Sequence, residues 1–160
     1  MIECILTVHR ERLPLLVDFD GPDGRLGSME SRLALRGPDY RIMDGTGAGR
    51  FAATRRSGLA LRVEVHEGDR PRATLIGSMF PFVNPRARIE GVEGGAWTVW
   101  KYLASGEVEF RIDGREILRM GEGVSSRGWR TATETRPVNI DPALDPLLAL
   151  ALTTLALECI

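Results

Sequence analysis

The sequence predicts a mainly β protein of the α+β kind: a closed antiparallel β-barrel whose many short strands enclose a hydrophobic C-terminal helix. Three observations carry this reading. The chain closes on "DPALDPLLALALTTLALECI", a helix with no polar side. The rest alternates short strand patterns with Gly- and Asp-rich turns, and no second long helical period competes with the tail.

Taken in chain order, "PLLVDFDGPDGRLGSM" is a weak hairpin and "YRIMDGTGAGRFAATRR" a strand, a Gly-rich turn and a strand. Single strands follow in "LALRVEVHE", "PRATLIGSMF", "ARIEGV" and "AWTVWKYLA". "EVEFRIDGREILRM" is a hairpin turning at Asp113-Gly114, a dipeptide that tolerates the positive φ of a two-residue turn. "WRTATETRPVNI" is the last, which brings the count to about ten or more strands.

The helix is expected over about residues 146–158. Asp145 caps it with a carboxylate, and Pro146 sits at the first position, where its missing N–H costs nothing. Stepping about 100° per residue spreads Leu147, Leu148, Leu150, Leu152, Leu155 and Leu157 around the whole circumference. Such a helix must be enclosed by protein or lipid. Spanning lipid takes about 20 apolar residues, and this run stops at Glu158 after about 11, so enclosure by protein is expected. Thr153 and Thr154 fit an apolar setting because each hydroxyl can bond the carbonyl one turn back. Burial of six leucines contributes a gross stabilisation on the order of 10–18 kcal/mol. A closed sheet supplies the enclosure and removes its own edges.

The hairpins "YRIMDGTGAGRF" and "FRIDGREILRM", followed by "IDPALDPLLALALTTLALE", resemble the tubby C-terminal-like superfamily, in particular its LURP-one-related and phospholipid-scramblase-like members. The resemblance covers most of residues 15–158. It implies a barrel of roughly twelve strands around a hydrophobic C-terminal helix, so about 10–12 strands are expected. It also implies a link to lipids, through phosphoinositide binding in the tubby proteins and calcium-dependent lipid movement in the scramblases. No phosphoinositide pocket matches residue by residue, and the Pro-rich and Cys-rich start of animal scramblases is missing.

Composition narrows the function. A length of 160 residues fits one domain, and a net charge of −1 lacks the field that draws a protein onto nucleic acid. Lys101 is the single lysine among 21 basic residues, a bacterial-type composition that a G- and C-rich genome explains. Cys4 and Cys159 form no disulfide framework, and the apolar run in "MIECILTVHRER" is too short for a signal peptide. A cytoplasmic, reduced protein with no transmembrane segment is expected.

Catalytic and metal patterns fail on spacing. "DFDGPDG" gathers Asp18, Asp20 and Asp23, but the EF-hand pattern breaks at Pro22 and Met29, and a hairpin turn accounts for it. "GTGAG" completes no phosphate-binding motif. His9 and His66 are isolated among strand residues, no G-x-S-x-G occurs, and Glu107 and Glu109 belong on a solvated strand face. No cofactor and no enzymatic activity are expected.

Two segments carry interaction chemistry. "SMFPFVNPRAR" joins Met79, Phe80 and Phe82 to Arg86 and Arg88, an apolar loop beside cations that suits a membrane interface or a partner patch. "SSRGWRTATETR" sets Trp129 between Arg127 and Arg130, where a guanidinium stacked on the indole would shape an anion site. The reading is a non-enzymatic binding module for an anionic lipid headgroup or a protein partner. Its rival is a small-molecule-binding protein or enzyme whose helix covers a curved sheet.

Overall fold

The computed structural model describes residues 1–12, 14–34, 37–56, 58–80 and 82–160. The strands found there are β1 (Ile2–His9), β2 (Leu16–Gly21), β3 (Gly24–Ala34), β4 (Gly37–Asp44), β5 (Gly49–Arg56), β6 (Arg62–Glu67) and β7 (Arg70–Gly77). They continue as β8 (Ala87–Glu90), β9 (Trp97–Lys101), β10 (Val108–Ile112), β11 (Arg115–Met120), β12 (Val124–Arg127) and β13 (Ala132–Ile140). Helix α1 (Pro146–Cys159) closes the chain.

Each strand from β1 to β10 pairs antiparallel with the next, and β1 returns to β13 from Ile2↔Ile140 to His9↔Thr133. The other edge of β13 is shared: β11 takes Val138 to Ile140 and the short β12 takes Ala132 to Thr135. The result is a closed barrel of twelve strands with β12 added at the rim, within the expected range. Two strands lie outside the sequence reading. The opening segment places His9 among strand residues without giving β1 as a strand of its own, and all four residues of β12 are exposed, so β12 offers no alternation to read.

Alternation elsewhere is clear. Leu6 and Val8, Val17 and Phe19, and Val63 and Val65 turn inward and are fully buried. Outward positions carry ion pairs such as Arg56 with Glu64 at 3.1 Å. An apolar lumen inside a charged wall is the reverse of a membrane-spanning barrel, whose apolar band faces out. Among the described residues no helix is long and apolar enough to cross a membrane.

α1 fills the lumen, and residues Leu147 to Ala156 are all buried. The Asp145 carboxylate accepts the N–H groups of Leu147 and Leu148 at 3.0 and 3.3 Å, as its position before Pro146 predicts. Thr153 and Thr154 hydroxyls donate to the Ala149 and Leu150 carbonyls at 2.7 and 2.9 Å, so two buried polar groups are satisfied inside an apolar helix. At the helix start Arg50 reaches Asp145 at 2.9 Å. At its end Arg10 meets Glu158 at 3.1 Å and Tyr40 Oη lies 3.5 Å from Cys159 Sγ. The helix therefore runs from one end of the barrel to the other, and each end is named below by the helix terminus it holds.

Apart from the six-residue 91–96 loop, the strand-linking turns at the N-terminal end are short. Asp113 and Gly114 both take positive φ, 49° and 80°, the two-residue turn expected there. The Asp44 carboxylate accepts Thr46 and Ala48 N–H groups, so "GTGAG" is a side-chain-closed turn between β4 and β5. Asp18 and Asp20 are strand residues of β2, with the turn at Pro22 and Asp23. Asp18 is held by His9 Nε2 at 2.8 Å and by Arg25.

Candidate functional site

Antiparallel alternation puts the described loop residues 58–61, 78–80, 82–86, 102–107 and 128–131 together at the helix C-terminal end. That end also collects exposed apolar side chains. Of the ten large hydrophobic residues exposed among those described, eight sit on it: Leu59, then Met79, Phe80, Phe82 and Val83, then Leu103, then Val124 and Trp129. Leu59 is 98%, Phe82 81% and Trp129 95% exposed. The other two, Met1 and Ile5, belong to the N-terminus and β1.

The 78–86 loop has a fixed root and a bare tip. Ser78 N donates to the Arg86 carbonyl at 2.7 Å, and Arg86 N donates to Val99 at 2.7 Å. The Asn84 amide pairs with the Lys101 backbone in both directions, accepting at 2.9 Å and donating at 3.2 Å. Phe80 and Phe82 are thus presented from a hydrogen-bonded base.

The predicted contact residues divide. Met79, Phe80, Phe82, Arg127, Trp129 and Arg130 are exposed at this end. Arg86 is not a surface cation: it is 6% exposed, its guanidinium carbon is 6.0 Å from the Phe82 ring centroid, and its Nε has no partner. Arg88 is exposed on the outer wall of β8 and is paired with Glu90. Among the described residues no guanidinium stacks on Trp129; the stacked pairs are elsewhere, as in Arg111 over Trp100 at 4.5 Å. Arg127 and Arg130 make no ion pair among the described residues, and Glu11 shares their shallow recess.

Lys101 completes the charge pattern. Its Nζ donates to the Leu157 and Ile160 carbonyls at 3.4 and 2.5 Å, placing a cation where the helix dipole is negative. Burial lowers its pKa, and the nearby Arg86 and Arg136 charges lower it further. Arg136 is itself held by Glu134 and by the carbonyls of Gly106 and Gly121. The exposed apolar tips therefore stand over a barrel mouth that holds Arg86, Lys101 and Arg136 together with Glu134 and Glu158.

Glu109 corrects the sequence reading. It points out of the barrel as the period demands, yet it is only 4% exposed, because Arg111, Arg119 and Tyr102 cover it. Those groups lie on β10, on β11 and in the loop after β9, so no single strand reveals the cover.

A second feature went unseen in the sequence. At the helix N-terminal end a cleft of about 340 Å³ opens between the β6–β7 turn, the 91–96 loop and the residues leading into α1. Trp97, Ile117 and Leu148 line it, with Arg70, Arg115 and Asp141 among its polar groups.

No family model, curated protein or solved structure matches this chain.

Proposed function

We propose that the chain is a non-enzymatic binding module of the tubby C-terminal-like kind that docks peripherally on an anionic lipid surface through the helix C-terminal end. The observation that carries it is the gathering of eight exposed large hydrophobic side chains at that one end, seven on its loops and Val124 on the rim strand β12. Exposed apolar groups scattered singly need no explanation, but a concentration of them marks an interaction face.

The chemistry favours a lipid surface because the apolar tips are flanked by Arg127 and Arg130, which make no ion pair among the described residues, and underlain by Arg86 and Lys101. Aromatic and aliphatic side chains enter the acyl boundary while guanidiniums meet phosphate oxygens. Each basic residue close to an anionic membrane adds about 1 kcal/mol, an effect that salt weakens. The helix occupies the lumen, so the rim and not the barrel interior is offered to a ligand at this end.

Co-sedimentation of the full chain with neutral and with anionic phospholipid vesicles across a salt series tests the reading. Binding confined to anionic vesicles, weakened by salt and by Arg127→Ala with Arg130→Ala, is expected. No binding at low salt overturns the lipid reading and leaves a protein partner as the occupant of this rim.

A further inference from the structure

The apolar side chains of the helix C-terminal end are bulky but short of reach. Leu59, Phe80, Phe82, Leu103 and Trp129 are exposed on loops that their own backbones close. Arg56 pairs with Arg62 across the loop that carries Leu59. Ser78 N donates to the Arg86 carbonyl at 2.7 Å, Gly106 N to the Tyr102 carbonyl at 2.7 Å and Gly128 N to the Thr131 carbonyl at 2.8 Å.

Charged side chains begin directly behind these tips. Arg56 and Arg62 reach Glu64 at 3.1 and 3.2 Å, and Arg10 reaches Glu134 at 3.0 Å. Pushing the rim deeper into a bilayer would strip water from those ion pairs, a cost that their mutual attraction does not repay. Entry therefore stops at the boundary between headgroups and acyl chains.

Charge at the same end is mixed. Glu11 shares the recess of Arg127 and Arg130, Arg10 lies between Glu134 and Glu158, and the whole chain carries a net charge of −1. Long-range attraction to an anionic surface is accordingly modest, and insertion of apolar side chains supplies most of the docking strength.

A shallow wedge has to open area among the headgroups while the acyl chains beneath stay in place. That area already exists where lipids pack loosely, on a tightly curved vesicle or above branched chains, and it has to be created on a flat, well-packed bilayer. We infer that the rim selects loosely packed, strongly curved membrane: anionic charge brings the chain to a surface, and the packing of that surface sets how tightly it stays. The inference rests on the lipid-docking reading and adds the property of the bilayer that the rim recognises.

Flotation of the full chain with mixed phosphatidylcholine and phosphatidylserine vesicles of one composition and two sizes, about 30 and about 200 nm across, tests it at equal outer-leaflet lipid. Binding should be at least about fivefold tighter on the small vesicles, and large vesicles rebuilt with methyl-branched acyl chains should bind more tightly than unbranched ones of the same size and charge. Leu59→Ser with Leu103→Ser, both at exposed positions, should lower the small-to-large ratio at least about twofold. Arg127→Ala with Arg130→Ala should weaken binding to both sizes and leave that ratio unchanged. Equal affinity for the two sizes, or no gain from branched chains, overturns the inference and leaves the lipid reading standing. A ratio lost with the arginine pair and kept with the leucine pair overturns it in the same way. Absence of binding to every vesicle overturns both.

Discussion

The Arg86 guanidinium carbon lies 6.0 Å from the centroid of the Phe82 ring, joining a buried cation to an 81% exposed aromatic within one short loop. The ring covers the charge from outside while the loop root is tied to β9 through Asn84 and Lys101. Changing the tip should therefore alter what the rim binds more than how the barrel folds.

Replacing Phe80 and Phe82 together by Ser should reduce partition onto anionic vesicles at least about tenfold, because each ring loses roughly 1.5–3 kcal/mol of burial when transferred to the acyl boundary. The thermal midpoint should stay within about 2 °C, since both side chains are exposed in the free protein. Co-sedimentation and differential scanning calorimetry of the same preparation check the two halves.

Glu109→Gln should destabilise the barrel by about 1–3 kcal/mol in urea unfolding. The substitution strips the charge that Arg111 and Arg119 converge on, while the partial exposure of both arginines keeps the loss below that of a fully buried pair. An unchanged urea midpoint in the variant would show that the ion pairs over Glu109 contribute nothing to stability.

Gly27 sits where the first turn of α1 meets β3. A Cβ there would lie 2.2 Å from the Met43 carbonyl oxygen and 2.8 Å from Leu147 Cδ1, so backbone has to move to admit it. Gly27→Ala should cost about 2–4 kcal/mol despite adding a single methyl group. Equilibrium unfolding followed by circular dichroism measures it, and a neutral result would mean that the helix start is free to shift.

Tyr40 gives the fold an alkaline limit. Burial, assisted by the Cys159 thiol at 3.5 Å, raises the phenol pKa well above its ordinary value. A raised pKa in the folded state stabilises fully below the unfolded value of about 10, and that contribution falls as pH climbs past it. Absorbance at the phenolate band should show one tyrosine ionising only as the protein unfolds. Tyr40→Phe should move the alkaline unfolding midpoint to higher pH, at a cost near neutrality of about 1 kcal/mol for the lost hydrogen bond.

The sequence by itself determined the features whose causes are local. The cap at Asp145, the proline after it, the back-bonded threonines and the leucines spread around α1 all follow from residues within a few positions of one another, and so does the Asp113-Gly114 turn. The exposed loop chemistry of Phe80, Phe82 and Trp129 was legible for the same reason, since composition alone marks such a segment. The tertiary structure decided closure, because the Ile2↔Ile140 register joins residues at opposite ends of the chain and no periodicity encodes it. Closure then decided which loops share a rim, why Arg86 is buried when Phe82 and Val83 in the same loop are not, and how Glu109 comes to be covered from β10, β11 and the loop after β9. The Trp97 cleft belongs to the same class: its walls come from turns far apart in sequence, brought together by strand pairing, and an unpaired indole N–H exists only once its surroundings do.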